Sequence, residues 1–374
     1  MQAISDTRAD TISQFLSRTE WHGAEALKLA GDASTRSYIR LRKNGHTAVL
    51  MNAPPAAESS PCPPTASEAE RQRLGYNAVA RLAGPDSRRF AAFAETLRAL
   101  GLRAPRILAA DYDLGLLVLE DLGDELFARA ISAGTPPQPL YEAAIDVLSA
   151  LHATPAPRTL GINGAAVPFL AYDRLAYKAE ADLAIEWLYP VIGGNALPAE
   201  PRAEWDALWR DALAKLDSNR PVIVLRDFHA ENLFWLPQER GLARVGLIDF
   251  QDGLQGSPAY DLVSLLEDAR RDVEPELADA MLDRYSKAAQ SREAEFDCEG
   301  FRLQVALLGA QRNSKILGIF ARLAKRDGKQ HYLKLLPRVW GYVGRDLTHP
   351  ELAALKHWYD RYFPPTERFR VPGL

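Results

Sequence analysis

A chain of 374 residues with 47% hydrophobic and 25% charged side chains is too long for one hydrophobic core and too evenly composed for disorder or a fibrous repeat, so two lobes are expected. A formal net charge of −4 gives no electrostatic reason for a nucleic-acid or anionic-membrane partner, which leaves a small molecule. Two cysteines, Cys62 and Cys298, and no His or Cys pair at zinc-ligand spacing argue against a disulfide framework or a structural metal. The start of the chain lacks a signal-peptide pattern, and no stretch approaches the roughly 18 apolar residues of a membrane span, so a cytoplasmic monomer is expected.

Residues 8–19 read as a short helix. From 37 to 51 apolar positions alternate, interrupted only by Asn44-Gly45, the strongest short-range hairpin signal. A two-residue turn there sets Arg40 opposite Val49 and puts Tyr38, Arg40, Val49 and Met51 on one face, which Arg36 continues. Residues 53–67 hold five prolines and read as an exposed connection that carries Cys62. Helical patterning then runs to about Ala99, and the apolar stretches 107–110 and 114–120 read as paired strands. Residues 1–119 thus form a small α+β lobe.

Beyond Gly123 the period changes. Leu140, Ala144, Val147, Leu148 and Leu151 share one helical face, and similar stripes recur near 172–189 and 202–216. Helices near 260–269, 275–290, 300–324 and 350–360 complete a mainly helical lobe, residues 120–374. Inside it lies a β island of three apolar runs, 222–225, 233–236 and 245–248.

Chemistry concentrates around that island. In Leu225-Arg226-Asp227-Phe228-His229-Ala230-Glu231-Asn232 an Asp and an Asn stand five apart after an apolar strand, and Asp249 closes another strand seventeen residues later. Phosphoryl transfer needs such a set: one carboxylate to orient a hydroxyl and take its proton, and oxygen ligands for Mg²⁺ on the ATP phosphates. The spacing matches the kinase catalytic loop H-R-D-x-x-x-x-N, with Asp249-Phe250-Gln251 in place of D-F-G. Asp is also a common turn former at strand ends, but the three residues together outweigh that reading. His229 either holds the loop's shape, through its backbone or Asp249, or moves a proton; Asp261 either caps a helix or braces the catalytic loop.

With 249–253 and Pro258-Ala259-Tyr260-Asp261-Leu262, these residues resemble the aminoglycoside phosphotransferase superfamily of protein-kinase-like folds. The segments 31–41, 119–123 and 311–323 resemble one branch of it, the bacterial anomeric kinases of N-acetylmuramate and N-acetylglucosamine in cell-wall recycling. The resemblance implies a two-lobed α+β fold, with an antiparallel-sheet N-lobe and a helical C-lobe, and ATP and Mg²⁺ between them. It implies Asp227 as the base and Asn232 and Asp249 as metal ligands. Gly31, Ser34 or Thr35 would form the phosphate loop, and a hinge at 119–123, with Glu120 and Leu122, would meet adenine.

One departure stands out: Met51 occupies the place of the phosphate-pairing lysine, and Arg36 or Arg40 is expected to supply the missing charge. The acceptor site is expected among Asp173, Glu180, Glu186, Trp187, Arg312 and Asn313, residue types suited to a sugar. The competing readings are an aminoglycoside or choline kinase and a nucleotide-binding pseudokinase.

Overall fold

A computed structural model describes residues 2–29, 36–55, 62–162, 165–216 and 220–369. The first part holds α1 (Gln2–Leu16), β1 (Glu25–Lys28), β2 (Ser37–Lys43), β3 (His46–Asn52), α2 (Glu68–Leu74), α3 (Tyr76–Val79), α4 (Ser87–Ala99), β4 (Ile107–Asp111) and β5 (Leu116–Glu120). Its strands form one antiparallel sheet in the order β1-β2-β3-β5-β4. Asn44 and Gly45 take positive φ angles of 52° and 78°, as a two-residue hairpin of matching twist requires, and the register sets Arg40 opposite Val49 and Tyr38 opposite Met51. The expected hairpin is therefore observed.

Strand alternation gives the sheet two buried faces. Leu41, Ala48, Leu50, Leu116 and Val118 pack against Phe15 and Trp21, while Met51, Leu117 and Leu119 join Phe90, Phe93 and Leu97 of α4 in the main core. Met51, 1% exposed, is thus a core residue whose burial contributes roughly 1.5–3 kcal/mol, where a lysine would bury an ammonium. The proline-rich connection is not wholly exposed as expected: Cys62 is buried. The 62–83 segment that follows it packs on the helical part of the chain, with Arg71 ion-paired to Asp173 at 2.5 Å.

The helical part holds α5 (Phe127–Ser132), α6 (Pro137–Leu151), β6 (Thr159–Ile162), β7 (Ala165–Pro168), α7 (Arg174–Leu183), α8 (Tyr189–Gly193) and α9 (Ala199–Leu213). It continues through β8 (Val222–Val224), β9 (Leu233–Trp235), β10 (Val245–Leu247), β11 (Leu254–Gly256), α10 (Ala259–Leu266), α11 (Pro275–Arg292), α12 (Cys298–Asp327), α13 (Leu336–Asp346), α14 (Ala353–Tyr362) and α15 (Pro365–Arg368). The β island is two antiparallel ribbons rather than one sheet, because β9 pairs with β10 while β8 pairs with β11. The ends of these ribbons bring 225–232 and 248–253 together.

The 30-residue α12 packs on α7, α10 and α13. A glycine inside a helix costs about 1 kcal/mol relative to alanine, yet Gly318 is required here: a Cβ would lie 2.2 Å from the Leu183 backbone, so α7 and α12 cross at that point. No helix among the described residues is long and apolar enough to cross a membrane.

Candidate active site

Asp227 follows β8, and Asp249 follows Ile248 at the end of the β10 run; the turn between β8 and β9 folds back so that Asn232 meets both. The Asn232 amide donates from Nδ2 to the Asp227 carbonyl at 2.9 Å and to Asp249 Oδ2 at 3.4 Å, and Ile248 N donates to Asn232 O at 3.2 Å. Arg226 and Asp249 both take left-handed backbone, with φ of 70° and 58°. Such conformations cost roughly 1–3 kcal/mol and persist where surrounding structure fixes them. Asp261 does so on one side, its carboxylate accepting Leu225 N at 2.7 Å and Arg226 N at 2.8 Å. Since Pro258 precedes α10 and Asp261 lies inside it, the observed placement is the loop brace rather than the helix cap.

The electrostatics of the pair are unequal. Among the described residues the Asp227 carboxylate has no hydrogen bond or ion pair, whereas Gln251 Nε2 donates to Asp249 Oδ1 at 2.6 Å. Burial, and next the charge of Asp227, push Asp249 up to about 6, while Gln251 and Arg36 oppose the rise. Two carboxylates held against their own repulsion suit a hard cation, and Asn232 adds to them: its Oδ1 accepts no hydrogen bond from a described residue. A set of two carboxylates and one amide oxygen is of the kind that holds Mg²⁺ together with phosphates.

His229 is buried, and burial pushes it down to about 4, so it is neutral. Its Nε2 lies 3.5 Å from Asn232 Nδ2 and its carbonyl accepts Asn232 N at 2.8 Å, a contact with Asn232 rather than with Asp249. On the sheet side, Tyr38 stands opposite Met51; burial and the nearby Asp249 charge push its hydroxyl up to about 12. Strand alternation places Tyr38 on the face of Met51 but does not reveal that it lies near Asp249.

The two candidate arginines separate. Arg36 acts on both Asp249 and Tyr38. Arg40, expected as an alternative phosphate cation, is instead bound at 2.8 Å to Asp121 and to Asp124 and donates to Gly123 O at 2.9 Å. Buried and doubly paired, its charge is committed to the segment after β5. That segment is clamped a second time: Glu120 meets Arg103 at 2.8 Å and Arg106 at 3.4 Å, and Leu122 is buried against Gly246. Gly31, Ser34 and Thr35 lie outside the described residues.

The expected acceptor residues do not converge on one surface. Glu180 is fully buried: its carboxylate receives Arg226, the Tyr172 hydroxyl and Gln311, and pairs with Lys315 at 2.9 Å. Burial alone would raise its pKa, but Lys315 and Arg226 outweigh it and keep Glu180 ionised. Asp173 caps α7 and is held by Arg71 and Arg81. Arg312 and Asn313 point the other way around α12, Arg312 to Ser264 at 2.9 Å and Asn313 to Glu267 at 2.5 Å, and of the two only the Arg312 charge is seen to act on the catalytic loop, at His229. Glu186 and Trp187 sit in a π-helical turn, 184–188, with Glu186 3.9 Å from Arg202 and Trp187 packed on the core.

Arg226 is the residue that sequence reasoning missed. Its guanidinium lies 4.8 Å over the Tyr172 ring, binds Glu180, and donates to the carbonyls of Ala80 and Asp252 at 3.3 Å. It thereby ties the 62–83 segment, α7 and the loop after Asp249 to the residue next to Asp227. Its place directly before Asp227 was the available signal.

A profile of the phosphotransferase enzyme family matches residues 25–296. A relative from Caulobacter vibrioides named N-acetylmuramate/N-acetylglucosamine kinase is 47% identical over 365 residues, 98% of this chain and 99% of its own. One of the same name from Pseudomonas aeruginosa is 31% identical, over 89% of this chain and 87% of its own. The GDP complex of wild-type aminoglycoside 2'-phosphotransferase-IIIa shares the fold with a TM-score of 0.54 at 12% identity, covering 91% of this chain and 99% of that one.

Proposed function

The chain belongs to the phosphotransferase enzyme family, and on that premise we propose that it transfers the γ-phosphoryl group of ATP to the C1 hydroxyl of N-acetylmuramate and N-acetylglucosamine. The observation that carries the reading is the Asp227 carboxylate, without a partner among the described residues, beside Asn232 and Asp249. The names of relatives up to 47% identical support the choice of sugar.

Asp227 accepts the hydroxyl proton as the sugar oxygen bonds to the γ-phosphorus and the bond to the bridging oxygen breaks, releasing ADP. Asn232 and Asp249 are the residues that would hold Mg²⁺, which when bound offsets charge on the β- and γ-phosphate oxygens. Arg36 adds positive charge from the sheet side, and Asp261 keeps the loop in the shape that aims Asp227. The anomeric hydroxyl suits a carboxylate base, because the ring oxygen makes it more acidic than the C6 alcohol. The lactyl group of N-acetylmuramate sits on C3, away from the reaction.

Two lobes meeting at about 119/120, a cytoplasmic setting with ATP, and a monomer belong to the same reading. The acceptor panel that tests it is N-acetylglucosamine, N-acetylmuramate, kanamycin and choline, each with Mg²⁺ and ATP. ADP release with both amino sugars and with neither other acceptor is expected; release only with kanamycin or choline would overturn the assignment.

A further inference from the structure

The face of α12 that carries Gln311, Lys315, Gly318 and Arg322 lies against α7 and the 62–83 segment. Gln311 and Lys315 are matched by Glu180, and Arg322 is not. Its guanidinium stacks over the Tyr76 ring at 5.6 Å, its Nε is buried without a hydrogen-bond partner, and nearby Asp327 is held by Arg326 at 2.7 and 2.9 Å.

Positive charge is in excess around it. Arg71 and Arg81 share Asp173, and Arg226 and Lys315 share Glu180, so with Arg322 five cations meet these two carboxylates; two more act from the edge, Asp252 on Arg226 and Asp327, itself held by Arg326, on Arg322. Partly desolvated cations without counter-charge are costly, and an anionic ligand group would complete the cluster. The Tyr76 hydroxyl, kept protonated by burial, lies among Glu180, Lys315, Arg226 and Arg322 as a further donor.

The place has a partly exposed rim and is linked to the base through Arg226. Tyr76, Lys315 and Arg322 are each partly exposed, between the buried Ser314, Leu317, Gly318 and Ala321. Arg226, adjacent to Asp227, contacts both Glu180 and the Ala80 carbonyl four residues beyond Tyr76. None of these elements contributes to the clamped segment at 120–124, so the cluster stands apart from the expected adenine side.

We propose that Arg322, with Lys315 and Tyr76, forms a subsite for a carboxylate carried by the acceptor. It rests on the amino-sugar reading above, and deepens it by naming what separates an acidic N-acetylamino sugar from a neutral one. The lactyl carboxylate of N-acetylmuramate is the group the subsite takes, and N-acetylglucosamine leaves it unfilled. The same cationic excess repels a polycationic aminoglycoside.

The test is steady-state kinetics of the full chain with both sugars, for wild type, Arg322→Ala, Arg322→Gln and Arg322→Lys. The ratio of kcat/KM for N-acetylmuramate to that for N-acetylglucosamine cancels the fraction of folded enzyme, so a destabilised variant still gives an answer. The ratio is expected to fall at least tenfold in Arg322→Ala and Arg322→Gln, through KM for N-acetylmuramate, and to recover partly in Arg322→Lys. An unchanged ratio, whether both sugars slow or neither does, overturns the subsite. A wild-type enzyme that phosphorylates neither sugar overturns the amino-sugar reading itself, and the subsite with it.

Discussion

Two carboxylate sites flank Arg226 and are treated in opposite ways. Glu180 is fully buried and its oxygens are matched by Arg226, Lys315, Tyr172 and Gln311. Asp227 and Asp249 repel each other, one has no partner among the described residues, and the other is pushed up to about 6 by burial and by its neighbour. A matched buried charge holds parts of a fold in place, while an unmatched pair on strained backbone is a site that awaits a ligand.

The sharpest way to break this contrast is on the unmatched side. Asp249→Ala should abolish measurable Mg·ATP binding in calorimetry while leaving the melting temperature near that of wild type. Asp227→Asn should bind Mg·ATP normally yet lose about 10²–10⁴-fold in kcat, the usual value of a positioned base. Equal, small losses in both variants would mean that the unmatched pair is not the reacting centre.

On the matched side the loss should appear in stability. Glu180→Gln leaves Arg226 and Lys315 without their counter-charge and should cost about 3–5 kcal/mol in denaturant unfolding. Adding Lys315→Met should return part of it. A stability unchanged by Glu180→Gln would remove the distinction between the two sites.

Smaller effects sharpen the comparison at the sheet. Arg36→Ala should raise the KM for ATP or lower kcat by about tenfold, about 1.4 kcal/mol, and Arg40→Ala should not, since Asp121 and Asp124 already claim Arg40. Glu120 gives the smallest effect. Partial burial would raise its pKa, but Arg103 and Arg106 outweigh this and hold it at about 2, below its ordinary 4.5. The stability it contributes is therefore present above pH 4.5 and lost as pH falls through about 2. Glu120→Gln should cost about 1 kcal/mol at pH 7, a solvent-screened value, and the difference from wild type should close between pH 4.5 and 2.

The unmatched site was legible in the sequence because it is local: Asp227, Asn232 and Asp249 flank three consecutive short strands, β8, β9 and β10, whose apolar runs and spacing are visible. The hairpin was legible for the same reason, its register set by Asn44-Gly45. The matched site was not, since Glu180, Arg226 and Lys315 come from three distant elements. Residues 311–323 carry a distinctive motif, but α12 is buried on most of its faces, so no polar stripe sets its rotation: the motif points to Arg312 and Asn313, whereas Gln311 and Lys315 face Glu180. Arg36 and Arg40 share a strand face by alternation, yet only tertiary structure brings Asp121 and Asp124 to Arg40. The ribbon strand β11 is too short to show a period, and α13, although Leu336, Val339, Trp340 and Val343 share one face, carries Pro337, Gly341 and Gly344, poor helix formers that hide it.

In the proposed reaction Asp227 activates the anomeric hydroxyl of an amino sugar held in line with the γ-phosphate, within about 3–3.5 Å of near-attack contact. The most direct measurement is ATP consumption with free N-acetylglucosamine and with its 1-O-methyl glycoside, which blocks C1 and leaves C6 free, followed by phosphorus NMR of the product. Turnover of the free sugar to a 1-phosphate and none of the glycoside is expected; comparable turnover of the glycoside, with phosphate on another hydroxyl, would show that C1 is not the acceptor.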